Sequence, residues 1–211
     1  MEIENFLWSD INWKNKKGEI WYPNIVKIDT IKDGSCFFHA IVNSFFRPYR
    51  EEIINGKHFD RQNFVKNFRN DLAMRLEEKN ESNGKSLYEV LSRGELPKMT
   101  EQGMDDYSLE NLKKKLTSGR SVGNEFHELI SEVLKRDIYF LDNNKENVYI
   151  TGKDEDILYK DRDSTVLLYL QNETHYELIG IEQEKGEIIT SFSPGSDFIK
   201  HIRKIMNVNN K

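Results

Sequence analysis

The spacing of apolar residues changes period once along this chain, after Arg136, and no other feature limits the fold as much. Upstream of that point the pattern is helical. Phe37, Ala40, Ile41, Ser44 and Phe45 fall at i, i+3, i+4, i+7 and i+8, which predicts a helix over 36–46 that Arg47-Pro48 ends. Phe64, Phe68, Leu72 and Leu76 form one stripe of a helix over 60–79, with Asp60 as its cap. Ser86-Leu87-Tyr88-Glu89 is a capping box and Gly94 a stop. Ser108 caps a short helix to Leu116, and Asn124 opens another whose Phe126, Leu129, Ile130, Val133 and Leu134 share a face. Downstream, 138–141, 148–151, 166–170, 175–181 and 188–192 read as strands with turns at 142–145 and 184–186. The segment 25–31 also alternates, and 196–206 predicts a closing helix. Helices first and strands last predict an α+β fold with a central, mostly antiparallel sheet flanked by helices. Neither repeat nor linker divides the 211 residues, so one domain over 1–211 is expected.

Several function classes are set aside by composition. The formal charge of −5 argues against a dedicated nucleic-acid binder, which carries a basic excess or stripe. No apolar run approaches the length of a membrane span. The first residues are acidic and broken by charges, unlike a secretory signal, so a cytoplasmic chain is expected. Cys36 is the sole cysteine, which excludes an intramolecular disulfide and a cysteine-cluster zinc site. All three tryptophans, Trp8, Trp13 and Trp21, fall in the first 25 residues. Aromatic clusters near a terminus more often pack on a core than form a binding arm.

The sharpest local feature is Asp33-Gly34-Ser35-Cys36, which sets the thiol in the first turn of the 36–46 helix. A helix N-terminus favours the thiolate, and Gly34 allows a tight bend that brings backbone N–H groups near the sulfur, where they can bind an oxyanion. Taken alone, a cysteine at a helix start is more often a small buried filler. A nucleophile needs a base, and five histidines are present: His39, His58, His127, His175 and His201. His175 is distinctive because it begins a predicted strand on which Glu177, two residues on, shares its face. A carboxylate beside an imidazole fixes its tautomer and raises its basicity.

The segment Ile31-Lys32-Asp33-Gly34-Ser35-Cys36-Phe37-Phe38-His39-Ala40-Ile41 resembles the cysteine box of the ovarian tumour (OTU) deubiquitinases, with His39 in a place usually held by Arg. His175-Tyr176-Glu177 is similar to that family's His-Tyr-acid/amide triplet. Residues 123–138 look like its helix-then-strand segment, although Val122 stands where Trp is usual. Together these matches span 25–181. The resemblance implies a papain-related cysteine protease fold and a thiol-dependent hydrolase acting on ubiquitin or polyubiquitin chains, or on a ubiquitin-like modifier. By position, Cys36 is then the nucleophile and His175 the general base. Asp33 takes the place of the acid of the cysteine box, and Glu177 that of the residue orienting the histidine. Which of the two carboxylates orients His175 stays open. No metal or organic cofactor is implied, and oligomeric state is unspecified. Small size and frequent Asn, Lys and Ile fit a viral, intracellular bacterial or protist protein acting in a host cytosol. A papain-like general protease and an inactive ubiquitin-binding module are the alternatives. The first normally carries a further cysteine, which this chain lacks. The second is disfavoured by the presence of Asp33, Cys36 and His175.

Overall fold

The structure, a computed structural model, describes residues 3–5, 24–103, 106–142, 147–149, 160–170 and 174–205. Trp8, Trp13 and Trp21 lie outside the described residues, as do the turn residues 143–145, the strand end Thr151, the turn 171–173 and Met206.

A seven-stranded sheet forms the centre. Its elements are β1 (Ile3–Asn5), β2 (Ile25–Ile28), β5 (Asp137–Asp142), β6 (Asn147–Tyr149), β7 (Ser164–Leu170), β8 (His175–Glu182) and β9 (Ile188–Ile189). Strand order is β1-β2-β8-β7-β5-β6, with β9 also on β8. Every pair is antiparallel except β5 with β7. The mostly antiparallel α+β architecture expected from the sequence is therefore what forms.

Alternation along the strands gives the sheet two apolar faces. Val26, Ile28, Ile138, Phe140, Leu167, Tyr176 and Leu178 join one core cluster with helices α1 (Cys36–Phe45), α3 (Arg61–Arg75), α6 (Leu109–Thr117) and α7 (His127–Leu134). Ile25, Tyr139, Leu141, Val166, Leu168 and Ile179 face the other way. They pack on Phe192 and on Phe198, Ile199 and Ile202 of α8 (Asp197–Ile205). In the first cluster, Phe37 touches Phe38, Phe140 and Tyr176 with ring centroids 5.2–6.3 Å apart. Truncating one buried phenylalanine costs about 3–5 kcal/mol, so this contact set fixes the start of α1 against the sheet.

Caps fall where side chains can reach orphan amides. Asp60 accepts from the Asn63 N–H at 3.0 Å, and Ser86 and Glu89 close a reciprocal box before α4 (Leu87–Val90). Ser108 accepts from the Asn111 N–H and opens α6. Asn124 does not cap with its side chain; it starts a 3-10 turn over Asn124–Phe126 that leads into α7.

Two local expectations shift. Arg47-Pro48 does end α1, but it also begins α2 (Arg47–Glu51), because proline is tolerated in the first helical turn, where its missing N–H costs nothing. Beyond α2 a hairpin joins β3 (Ile53–Ile54) to β4 (Lys57–His58). Its turn residues Asn55 and Gly56 both have positive φ, 51° and 75°, the type I′ requirement that Asn-Gly meets. Gly94 does not stop the polypeptide's helical run outright. With φ +81° it ends a 3-10 turn (Leu91–Gly94), and α5 (Glu95–Glu101) follows at once.

Candidate active site

Cys36 is the first residue of α1, and the preceding loop together with the two residues after it determine where its sulfur lies. Asp33 Oδ1 accepts the Ser35 N–H at 2.9 Å, tightening the approach to the helix. Gly34 has φ +82°, and a Cβ there would meet the Gly119 carbonyl at 2.6 Å, so only glycine fits. Phe37 and Phe38 then pin the first turn in the core. Cys36 is 6 % exposed. Burial pushes its pKa up, the N–H groups of Tyr176 and Phe37 pull the other way, and the Asp33 charge adds to the rise. The Tyr176 N–H at the sulfur is informative, because Tyr176 follows His175: the head of α1 and the start of β8 meet at this point.

His175, 4 % exposed, opens β8, where it pairs in register with Leu170 of β7. Thr174 before it has φ +50°, a strained conformation for a β-branched residue and one that sets the angle of entry. The imidazole Nε2 lies 3.3 Å from Asp29 Oδ1 and 3.4 Å from Thr30 Oγ1. Thr30 spends its own hydroxyl proton on the Tyr176 carbonyl at 2.6 Å. Toward His175 it therefore acts as an acceptor, as does the Asp29 carboxylate. Both neighbours demand a proton on Nε2, which leaves Nδ1 as the lone-pair nitrogen.

Asp29 and Thr30 were not singled out from sequence. They follow β2 directly, and the β2–β8 register of Ile28 with Leu178, continued by one and two residues, sets Asp29 and Thr30 opposite Glu177 and Tyr176. Strand pairing between positions about 150 residues apart brings this carboxylate to His175, and no local motif marks it.

The other carboxylates named from sequence have different neighbours. Asp33 Oδ2 lies 3.1 Å from His39 Nε2, and Tyr49 OH lies 2.6 Å from the other nitrogen of that ring. His39 is fully buried, and burial lowers its pKa while Asp33 opposes. Asp33, His39 and Tyr49 thus brace the cysteine loop against α1 and α2. Glu177 is buried on the same sheet face as His175, with Lys27 Nζ 3.8 Å from its Oε2. Asp29, His175 and Glu177 bring donor atoms within 4.8 Å of one another, so among the described residues these are the ones that could hold a divalent cation. Their hydrogen bonding and the Lys27 ammonium already supply the partners an imidazole-orienting site needs. Of the remaining histidines, His58 is exposed on the β3–β4 hairpin, and His127 is buried against Phe140 with its pKa lowered by burial to about 3. His201 is half-buried on α8.

The arrangement has the components that acyl transfer needs: a thiol at a helix head with backbone N–H groups of Phe37 and Tyr176 at the sulfur, and an imidazole one residue before Tyr176 with acceptors at its Nε2. No protein-family model matches the sequence, and a search of curated proteins finds no significant match. Among solved structures, an OTU domain in complex with ubiquitin aligns over 91 % of this chain and 86 % of its own, with TM-score 0.52 and 15 % identity. An OTU deubiquitinase from Wolbachia pipientis wMel covers 75 % of this chain and 90 % of its own, with TM-score 0.41 and 15 % identity. The viral OTU domain protease from Qalyub virus covers 76 % and 95 %, with TM-score 0.37 and 19 % identity. The strand order, the helix layer carrying Cys36 and the first of these alignments lead to one conclusion: this chain has the fold of an OTU domain.

Proposed function

We propose that the protein is a thiol-dependent ubiquitin hydrolase, a cysteine peptidase that cuts isopeptide bonds at the ubiquitin C-terminus. The observation that carries this reading is the meeting of Cys36 with the start of β8, where His175 has Nε2 committed to Asp29 and Thr30. The OTU-domain fold, seen in a neighbour bound to ubiquitin, supplies the substrate class.

In this reading His175 Nδ1 takes the proton from Cys36 Sγ, and the thiolate attacks the carbonyl carbon of the terminal glycine. Backbone N–H groups of the 33–36 loop bind the oxyanion. The tetrahedral intermediate collapses, the C–N bond breaks, and His175 returns its proton to the departing amine. Water, deprotonated by the same imidazole, hydrolyses the thioester and restores the thiol. Asp29 holds the ring and stabilises the imidazolium that forms in each half-reaction. Glu177 adds negative charge on the same sheet face, and Asp33 shapes the loop. General-base and oxyanion contributions of this kind supply about 10²–10⁴-fold and 10²–10³-fold in rate.

The substrate is tested with a panel of differently linked diubiquitins, a ubiquitin-like modifier fused to a reporter, and casein, at equal enzyme. Diubiquitin cleavage without casein digestion is expected, because a folded modifier offers remote contacts whose binding energy is used at the reacting centre, and a short peptide does not. Preference for the ubiquitin-like fusion would keep the chemistry and change the substrate. Casein digestion without diubiquitin cleavage would replace this reading with a general papain-like protease.

A further inference from the structure

Arg69 stands in the middle of α3 and is 2 % exposed, the bulkiest side chain among those fully buried in the described residues. A guanidinium has five N–H donors. Here the five end on five oxygens: Nε on Leu116 O at 2.8 Å, Nη1 on Ser35 Oγ at 2.7 Å and Gly34 O at 3.3 Å, and Nη2 on Lys115 O at 2.9 Å and Arg120 O at 2.8 Å. The cation also lies over the Phe38 ring, 4.7 Å from its centroid. Three segments are tied by this one side chain: the cysteine loop, the C-terminal turn of α6, and the loop after it.

The pieces fit closely around Cys36. Gly34 and Ser35, both held by Arg69, are the two residues before the nucleophile. Gly34 is pressed against the Gly119 carbonyl from the same side, next to the Arg120 carbonyl that Arg69 also holds. The oxygens Arg69 meets are all uncharged, so its positive charge is not cancelled in a contact ion pair. Asp33 is the acid of the same loop, and Cys36 directly follows the Ser35 whose hydroxyl Arg69 holds at 2.7 Å, so a thiolate formed there has this cation for a neighbour. A buried guanidinium is expensive unless its donors are met, and here the groups that meet them are the cysteine loop and the segment from the end of α6 to Arg120.

We propose that Arg69 is a positioning residue for the reaction at Cys36: it holds the Gly34 carbonyl and the Ser35 hydroxyl so that the loop's N–H groups meet the oxyanion, and it keeps a positive charge near the thiolate as that forms. This rests on Cys36 being the nucleophile. Lysine retains the charge but presents a compact donor that cannot span five acceptors in a planar fork. Methionine removes both charge and donors. Ser35→Ala deletes one of the five acceptors and leaves charge and core intact.

Each variant is first checked for an unfolding transition like that of the unsubstituted protein. Two readouts follow. With a fluorogenic ubiquitin C-terminal amide, Arg69→Lys is expected to lower kcat roughly tenfold or more and Ser35→Ala by a few-fold, with KM nearly constant, since a misplaced oxyanion site acts on the transition state alone. The rate of Cys36 alkylation by iodoacetamide, followed against pH, needs no ubiquitin. Its midpoint is expected to move to higher pH in Arg69→Met, because removing a nearby cation disfavours the thiolate, and to stay in place in Ser35→Ala. Unchanged kcat in both folded Arg69→Lys and Ser35→Ala, or a rise in KM without loss of kcat, overturns the inference. An unchanged alkylation midpoint in folded Arg69→Met also overturns it. If the unsubstituted protein turns over no ubiquitin substrate, the functional reading fails by itself and the alkylation profile alone decides the role of Arg69. If Arg69→Met does not fold, the kcat of Ser35→Ala decides.

Discussion

The His175→Ala protein is expected to lose about 10²–10⁴-fold in kcat/KM toward a ubiquitin substrate, the usual worth of a general base. The loss should approach that of Cys36→Ala, because nucleophile and base act as a unit. Cys36→Ala should abolish turnover and leave ubiquitin binding in place, since the sulfur is one small buried atom. His39→Ala, by contrast, should act through stability: its ring sits between Asp33 and Tyr49, so the measurable effect is a lower unfolding temperature and a smaller loss of rate. Steady-state kinetics on the three variants, each with a thermal melt, check the assignment. If His39→Ala proved as damaging to kcat as His175→Ala in a folded protein, the base would be misassigned.

The second large effect belongs to Asp29. Its Oδ1 accepts from the Thr30 N–H at 2.8 Å and lies 3.3 Å from His175 Nε2. Asparagine can keep an oxygen in that place and lose only the charge, so Asp29→Asn is expected to cost roughly tenfold. Asp29→Ala removes the acceptor as well, so about 10²-fold or more is expected; this falls short of the ~10⁴-fold lost when a serine-protease triad loses its acid, because Thr30 still holds the imidazole. Asp33→Asn and Glu177→Gln should each fall short of Asp29→Ala, since neither carboxylate makes a hydrogen bond to the ring. Rate measurements on the four variants rank them. A larger loss from Glu177→Gln than from Asp29→Ala would return the orienting role to the residue two positions after the histidine.

The difference between Asp29 and Glu177 shows what a sequence can and cannot convey here. Cys36 and His175 carry local signs: a Gly-containing approach to a helix start, and a histidine that opens an alternating run. The later strands of the central sheet, with the helices ahead of them, follow from the change of period after Arg136, because apolar spacing reports directly on which side of an element is buried. Asp29 has no such sign. It becomes a neighbour of His175 only because β2 and β8 pair antiparallel, and a register between distant segments is not written in either of them. Arg69 was hidden for a similar reason. It sits beside the predicted apolar stripe of α3 and looks like a solvated charge until α6 and the cysteine loop close over it. The β3–β4 hairpin was legible in principle: Asn55-Gly56 between Ile53-Ile54 and Lys57-His58 is a strong turn signal, overlooked because each strand has only two residues.

The central claim is that Cys36 is a nucleophile served by His175 and directed at the ubiquitin C-terminus. Incubation with ubiquitin carrying a C-terminal electrophile, followed by intact mass and peptide mapping, tests it most directly. One adduct is predicted, a single ubiquitin on Cys36, absent from Cys36→Ala and strongly slowed in His175→Ala. A folded protein whose Cys36 is alkylated by iodoacetamide yet forms no adduct with the ubiquitin electrophile would contradict the account.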